Sequence, residues 1–231
     1  MTPAASAHLF LPEDASLPTR LRVAWRSLKI LHKEVDHPVA GPALLKSLDH
    51  ESYARLAPEL AKTDDGRALL AERPALQGSA LDLPALARLP EGTLGAEFAR
   101  FLSSRGLKPF DSPFEVRNDA EFLAKRFRDT HDLVHVLTGY GTDELGEMEV
   151  QAFYLGNMGT RTAALLLVYS LVHVLPNLEL STPQYLRRLR DAWRRGRRTR
   201  PVIRPRYESY WDRPVDEVRA LLELPPLTAL R

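Results

Sequence analysis

The segment His131–Glu147, HDLVHVLTGYGTDELGE, constrains this chain more than any other stretch. Its pattern is H-D-x2-H-x11-E. The residues leading into it, Asn118 to Thr138, follow a helical period, with Leu123, Phe127, Val134 and Leu137 as apolar positions and Asn118 as a cap. On one helix, His131 and His135 stand a turn apart and face the same way. Asp132 then lies about 100° from His131 and about 60° from His135. Gly139 and Gly141 allow a tight reversal, and Thr142 or Asp143 can cap a second helix that carries Glu147 back toward His135. Two imidazoles and up to two carboxylates in so short a stretch suit a divalent cation. Histidines at this spacing also occur on ordinary helices, and an acid beside a histidine is often only its hydrogen-bond partner. The downstream Glu147 and the helix–turn–helix context favour the metal reading.

Elsewhere strand signals are scarce and helical periodicity is common, so the expectation is one all-α domain with a metal site between two adjacent helices. Within it, residues 1–117 form an N-terminal helical part and 118–231 a metal-motif and C-terminal helical part. Ser16–Val35 reads as an amphipathic helix. His37–Leu89 reads as short helices broken by Pro42, Pro58, Pro74 and Pro84, and Thr93–Ser104 as a helix ended at Gly106. Lys108–Arg117 reads as a Pro-containing linker. Thr160–Leu175 reads as a buried helix stopped by Pro176, Thr182–Arg198 as a basic helix with Pro183 in its first turn, and Pro214–Leu224 as a final short helix.

Composition narrows the function classes. The chain has no cysteine, which excludes disulfides and thiolate-bound zinc and argues against an iron–sulfur cluster. Its formal net charge of +2 gives no case for nucleic acid. A dense run of arginines from Arg187 to Arg206, relieved by Asp191, reads as a solvated face or as a surface for an anionic membrane, a phosphate-bearing ligand or an acidic partner. Aromatics are few and no nucleic-acid-binding motif is present. The N-terminal helix carries Arg20, Arg22, Arg26, Lys29 and Lys33 and could lie on a membrane, with core packing the simpler reading of its apolar face. The most apolar stretch, Ala163–Leu175, has 13 residues and is too short to span a bilayer. The first 18 residues have no basic n-region and already contain Glu13 and Asp14, so neither a secretory signal nor a mitochondrial presequence is expected.

From Arg126 through Gly139, RFRDTHDLVHVLTG, and on to Gly146 and Glu147, the chain resembles the coenzyme Q biosynthesis protein 4 family, whose hallmark is HDxxH followed by eleven residues and a glutamate. A second resemblance lies at Tyr207–Leu221, YESYWDRPVDEVRAL, where a tryptophan precedes an acid-rich helix. The likeness covers about residues 118–224, with weaker helical similarity before it. It implies a helical metal-binding protein of ubiquinone biosynthesis, with His131, Asp132, His135 and Glu147 as ligands and zinc as the usual metal. It also implies a polyprenylated ring or another prenyl lipid as substrate, and other quinone-biosynthesis proteins as partners. The place it implies is peripheral, on the mitochondrial inner membrane or, for a bacterial relative, in the cytoplasm or on the inner face of the cytoplasmic membrane. Homo-oligomerisation is left open.

The activity expected from this resemblance is a metal-dependent, in some accounts oxidative, decarboxylation of a polyprenylated hydroxybenzoate. Asp132 and Glu147 are the catalytic candidates, and Asp132 can serve as ligand or base. The ligand types alone do not separate Zn2+ from Fe2+, Mn2+ or Mg2+. The alternative is a non-catalytic lipid-binding scaffold with a structural metal. A helical phosphohydrolase is a weaker third reading, because the further histidine and aspartate it needs are not at the required spacing.

Overall fold

The structure, a computed structural model, describes residues 11, 15–34, 37, 39–76, 78–107 and 116–227. Residues 108–115 of the linker expected at Lys108–Arg117, and most of the N-terminal segment read for targeting signals, lie outside the described residues. In chain order the α-helices are α1 (Leu17–Leu31), α2 (Ala40–Leu60), α3 (Asp64–Glu72), α4 (Leu83–Leu86), α5 (Leu94–Ser104), α6 (Asp119–Asp129), α7 (His131–Thr138), α8 (Glu144–Met158), α9 (Arg161–His173), α10 (Thr182–Arg198) and α11 (Val215–Leu221). Among the described residues no strand forms; Thr93 and Pro214 make an isolated antiparallel bridge. The fold is therefore all-α, as its periodicity predicts.

The chain divides into two compact units, residues 1–73 with 111–128 and residues 74–110 with 129–231. In the first, α1 packs on α2 around Leu11, Val23, Ala40 and Ala43, and Tyr53 of α2 meets Phe127 of α6 with ring centroids 6.1 Å apart. Over residues 40–60 the single helix α2 replaces the expected short pieces, while α3 and α4 are short helices as expected. Pro42 sits in its first turn, where a missing N–H leaves no bond unmade, and Pro58 sits in its last. Two prolines at the ends of a helix do not break it.

The second unit is built around α8, which packs against both α9 and α10. The α8–α10 contact is backbone on backbone. A Cβ on Gly156 would fall 2.1 Å from the Trp193 carbonyl oxygen, and one on Gly196 would fall 2.1 Å from that of Phe153. Two glycines facing each other let the helices close to this distance. Asn157, next to the crossing, donates to the carbonyls of Gly196, Thr199 and Arg200 and so caps the end of α10. The C-terminal segment closes on α5: Leu94 and Gly95 donate to the carbonyls of Arg213 and Trp211, at 2.8 Å each, and Trp211 stacks on Phe98 at 5.7 Å.

Two further expectations are corrected. The helix read from Asn118 to Thr138 is two helices, α6 and α7, meeting at Thr130, a buried residue with ψ near zero. No glycine or proline marks the break, so periodicity runs straight through it. The helix read as buried, Thr160–Leu175, is uncovered along one side of α9. Val168 and Val172 are 64% and 66% exposed and Leu171 is also exposed, while Ala163 and Ser170 face inward. Apolar content signals burial only when something is available to do the covering.

Candidate metal centre

With eight residues, α7 is too short to persist on its own, and tertiary contacts must hold it. Its C-terminus is closed by Gly139 at φ +78°, a left-handed conformation natural to glycine, whose N–H donates to the His135 carbonyl at 2.8 Å. Asp143 caps α8 by accepting from the Gly146 N–H at 2.7 Å. Gly146 is a steric requirement: a Cβ there would sit 2.2 Å from the Gly141 carbonyl oxygen. Its absence lets the first turn of α8 rest on the reversal, which brings Glu147 against α7.

His131, His135 and Glu147 converge as a result. His135 Nε2 lies 3.2 Å from Glu147 Oε1 and 3.2 Å from His131 Nε2, and His131 Nε2 lies 3.4 Å from Glu147 Oε2. Among the described residues this is the one group of three or more potential donor residues whose atoms approach so closely, all within 4.8 Å. The spacing fits a cation: tetrahedral donors bonded at about 2.1 Å stand about 3.4 Å apart. The tautomer fits as well. His135 Nδ1 lies 3.2 Å from the Tyr140 carbonyl oxygen, which can only accept, so Nδ1 carries a proton and the neutral ring would offer its Nε2 lone pair to a metal. The three residues therefore fit a bound metal in spacing, donor type and ring orientation.

Burial is uneven. His135 is 2% exposed, under the Phe101 ring of α5 at 5.7 Å, and the Tyr154 ring lies 6.2 Å from that of His131. The Glu147 side chain is 34% exposed, so one flank of the cluster meets solvent. Electrostatics follow this geometry. Burial pushes the Glu147 carboxyl up, but His131 and His135 outweigh it and hold the group well below the usual carboxylate range. For His135, burial favours the neutral ring, yet Glu147, the Tyr140 carbonyl and the charge of Asp132 together push it upward.

Asp132 is the predicted ligand that the structure leaves outside the convergent trio. It occupies the first turn of α7 beside His131, half-buried, and acts on His135 through its charge. His173, read as an interior or rim histidine, is exposed and stacks on Tyr169 at 4.1 Å. Sequence reasoning missed Tyr140 and Phe101, whose parts depend on folded proximity. The basic run also resolves into different jobs. Arg188 makes a two-pronged pair with Glu149 at 2.7 and 2.9 Å, Arg200 pairs with Glu223, and Arg195 is buried. Arg187, Arg190, Arg194, Arg197 and Arg198 remain exposed.

The chain is thus a helical protein in which two histidines on one short helix and a glutamate at the start of the next form a histidine–carboxylate cluster. The chain belongs to the coenzyme Q (ubiquinone) biosynthesis protein Coq4 family, whose sequence model matches residues 43–227. That match begins well upstream of residue 118, where the motif likeness starts. The chain is 32% identical over 189 residues to the mitochondrial ubiquinone biosynthesis protein COQ4 homolog of Danio rerio, covering 78% of this chain and 68% of that one. It is 29% identical over 233 residues to the Homo sapiens homolog, covering 98% and 83%. The crystal structure of a protein assigned to ubiquinone biosynthesis from Nostoc punctiforme superposes with a TM-score of 0.68 at 26% identity, covering 87% of this chain and 95% of that one.

Proposed function

We propose that the His131–His135–Glu147 centre holds a divalent metal and serves ubiquinone biosynthesis by removing the ring carboxylate of a polyprenylated hydroxybenzoate. The observation that carries this reading is the uneven burial of a donor set already spaced for a cation. A structural metal site is closed on all sides, whereas a catalytic one keeps an open position, and here the Glu147 flank is open. Membership of the family and relatives named for ubiquinone biosynthesis support the pathway.

A bound Zn2+ would act as a Lewis acid toward a substrate oxygen and steady negative charge developing in the ring; Fe2+ or Mn2+ would add redox chemistry, and Mg2+ would supply charge alone. The protein's own residues do the rest. The Tyr140 carbonyl fixes the His135 tautomer, and Phe101 keeps that ring dry. Glu147, the most accessible of the three donors, borders the approach to substrate. Asp132, outside the trio but next to it, is assigned to proton transfer. As carbon dioxide leaves, the electron pair of the broken bond stays on the ring carbon and takes a proton that Asp132 would relay from solvent. Replacement of the carboxylate by hydroxyl would need an external oxidant such as dioxygen as well. Asp132→Asn separates the roles: retained metal with turnover lost supports the assignment, and loss of metal makes Asp132 a ligand instead.

The second reading, a lipid-binding scaffold with the metal as a pin, is favoured by one observation. The uncovered face of α9, Val168, Leu171 and Val172, offers an apolar surface that the described residues do not cover. The same surface supports prenyl-lipid handling, contact with other quinone-biosynthesis proteins, and a peripheral position on a membrane. No helix among the described residues is long and apolar enough to cross one. Repeated turnover of a prenylated hydroxybenzoate by the purified chain excludes a purely scaffolding role. Co-purified prenyl lipid without turnover favours it.

A further inference from the structure

A helix ends with four carbonyls that have no partner within it. In α7 these belong to His135, Val136, Leu137 and Thr138, and all four are taken. The His135 carbonyl accepts from Gly139. Arg219, from α11, donates Nη2–H to the Val136 carbonyl at 3.1 Å and Nε–H to that of Leu137 at 2.9 Å. Arg195, from α10, donates Nη1–H to the Thr138 carbonyl at 2.7 Å and Nε–H to that of Pro225 at 2.6 Å. The Arg195 guanidinium also lies 5.2 Å from the centroid of the Tyr140 ring. Two guanidinium charges thus meet the negative end of the helix dipole, one of them buried, where such an interaction is screened least.

The location of this cap gives it a consequence for the site. The eight residues it closes carry both histidines, and the next residue but one, Tyr140, supplies the carbonyl that orients His135. A small rotation of the last turn of α7, or a shift of Tyr140, would turn His135 Nε2 away from His131 and Glu147. We propose, on the metal reading above, that Arg195 and Arg219 are positioning residues for the centre. They clamp α7 and Tyr140 so that the histidine lone pairs stay aimed at one point. Neither touches the ligands; both act through the backbone that carries them.

The test is titration with Co2+ alone, followed by its visible absorption, beside thermal melts of metal-free protein. Arg219→Met should weaken Co2+ binding about 10- to 100-fold, the range found when outer hydrogen-bond partners of metal ligands are removed. Leu86→Ala, a buried truncation in α4 of the same unit, should lower the melting temperature while leaving Co2+ affinity within about twofold. Should Arg219→Met not fold, Arg219→Lys carries the test, because an ammonium keeps the charge but loses the planar fork that spans two carbonyls. Weakening of several-fold is expected there. Wild-type Co2+ affinity in a folded Arg219 variant with a lowered melting temperature would overturn the clamp and leave an ordinary helix cap. Absence of Co2+ binding by the wild-type protein would overturn the metal reading, and the clamp with it.

Discussion

Two half-buried glutamates in this molecule are held by pairs of nitrogen-bearing side chains, and they are chemically unlike. Glu121, in the first unit, accepts from Lys46 at 3.1 Å, from the Arg117 guanidinium at 2.7 Å and from the Arg117 backbone N–H at 3.0 Å. Its partners are donors only and permanently charged, so the group is balanced as it stands. Burial pushes its carboxyl up, but the hydrogen bonds from Arg117 and Lys46 prevail and bring it down to about 2. Glu147 faces two imidazoles whose Nε2 atoms also face each other at 3.2 Å. The Nε2 atom of a neutral imidazole can present a lone pair to a metal, which an ammonium or a guanidinium cannot. Glu121 completes an ion pair, whereas Glu147 belongs to a set that a cation would complete. The kind of atom opposite the carboxylate, more than the number of contacts, separates a structural pair from a ligand set.

The comparison can be broken most sharply by exchanging the same substitution between the two positions. Glu147→Gln should lower metal affinity by more than about 100-fold, beyond the effect of losing an outer hydrogen-bond partner. Glu121→Gln should leave metal content unchanged and cost about 1–3 kcal/mol of stability by denaturant unfolding. Equal effects on metal content would sink the distinction. Gly146→Ala probes the backbone that brings Glu147 into place. Its methyl would collide with the Gly141 carbonyl, so a loss of about 3 kcal/mol is expected, with weakened metal binding beside it. A near-wild-type melt would show that the reversal can move.

Acid sharpens the contrast further. The Glu121 carboxyl titrates lower in the folded chain than its ordinary 4.5, so its contribution is fully present above about pH 4.5 and is lost as pH falls toward 2. Wild-type stability should fall through that window more steeply than that of Glu121→Gln; parallel curves would contradict the assignment. The smallest effect belongs to α9. Val172→Ser should change stability by no more than about 0.5 kcal/mol, because the residue is uncovered. Sedimentation with anionic vesicles should fall if α9 meets lipid, and unchanged sedimentation would assign the surface elsewhere.

Much of the site is visible in the sequence because it is local. His131, His135, Gly139, Asp143 and Glu147 lie within 17 residues, and helix period, turn residues and capping fix their relative positions. The same local reasoning places α5 and α10, and the start of α8, to within a residue or two. It places Asp132 with the histidines by angle alone, whereas convergence also depends on which way the next helix returns. What is not legible is tertiary. Arg195 and Arg219 reach α7 from 57 and 82 residues away, and in sequence the first is one arginine among many. Gly156 and Gly196 look like ordinary helix-weakening residues until the helices cross there. The break at Thr130 has no local signal, and the exposed face of α9 has an apolar sequence that fits a core equally well. Pro42 and Pro58 mislead for the opposite reason, since a strong local signal has little effect at the ends of a helix.

The most direct test of the central claim is elemental mass spectrometry of the wild-type chain and His135→Ala, both purified without chelator or nickel. About one divalent metal per wild-type chain, absent from the variant, is the predicted result, and its identity would separate Lewis-acid from redox chemistry. Wild-type protein that is folded and carries no metal, or a variant that keeps it, would contradict a metal centre at His131, His135 and Glu147.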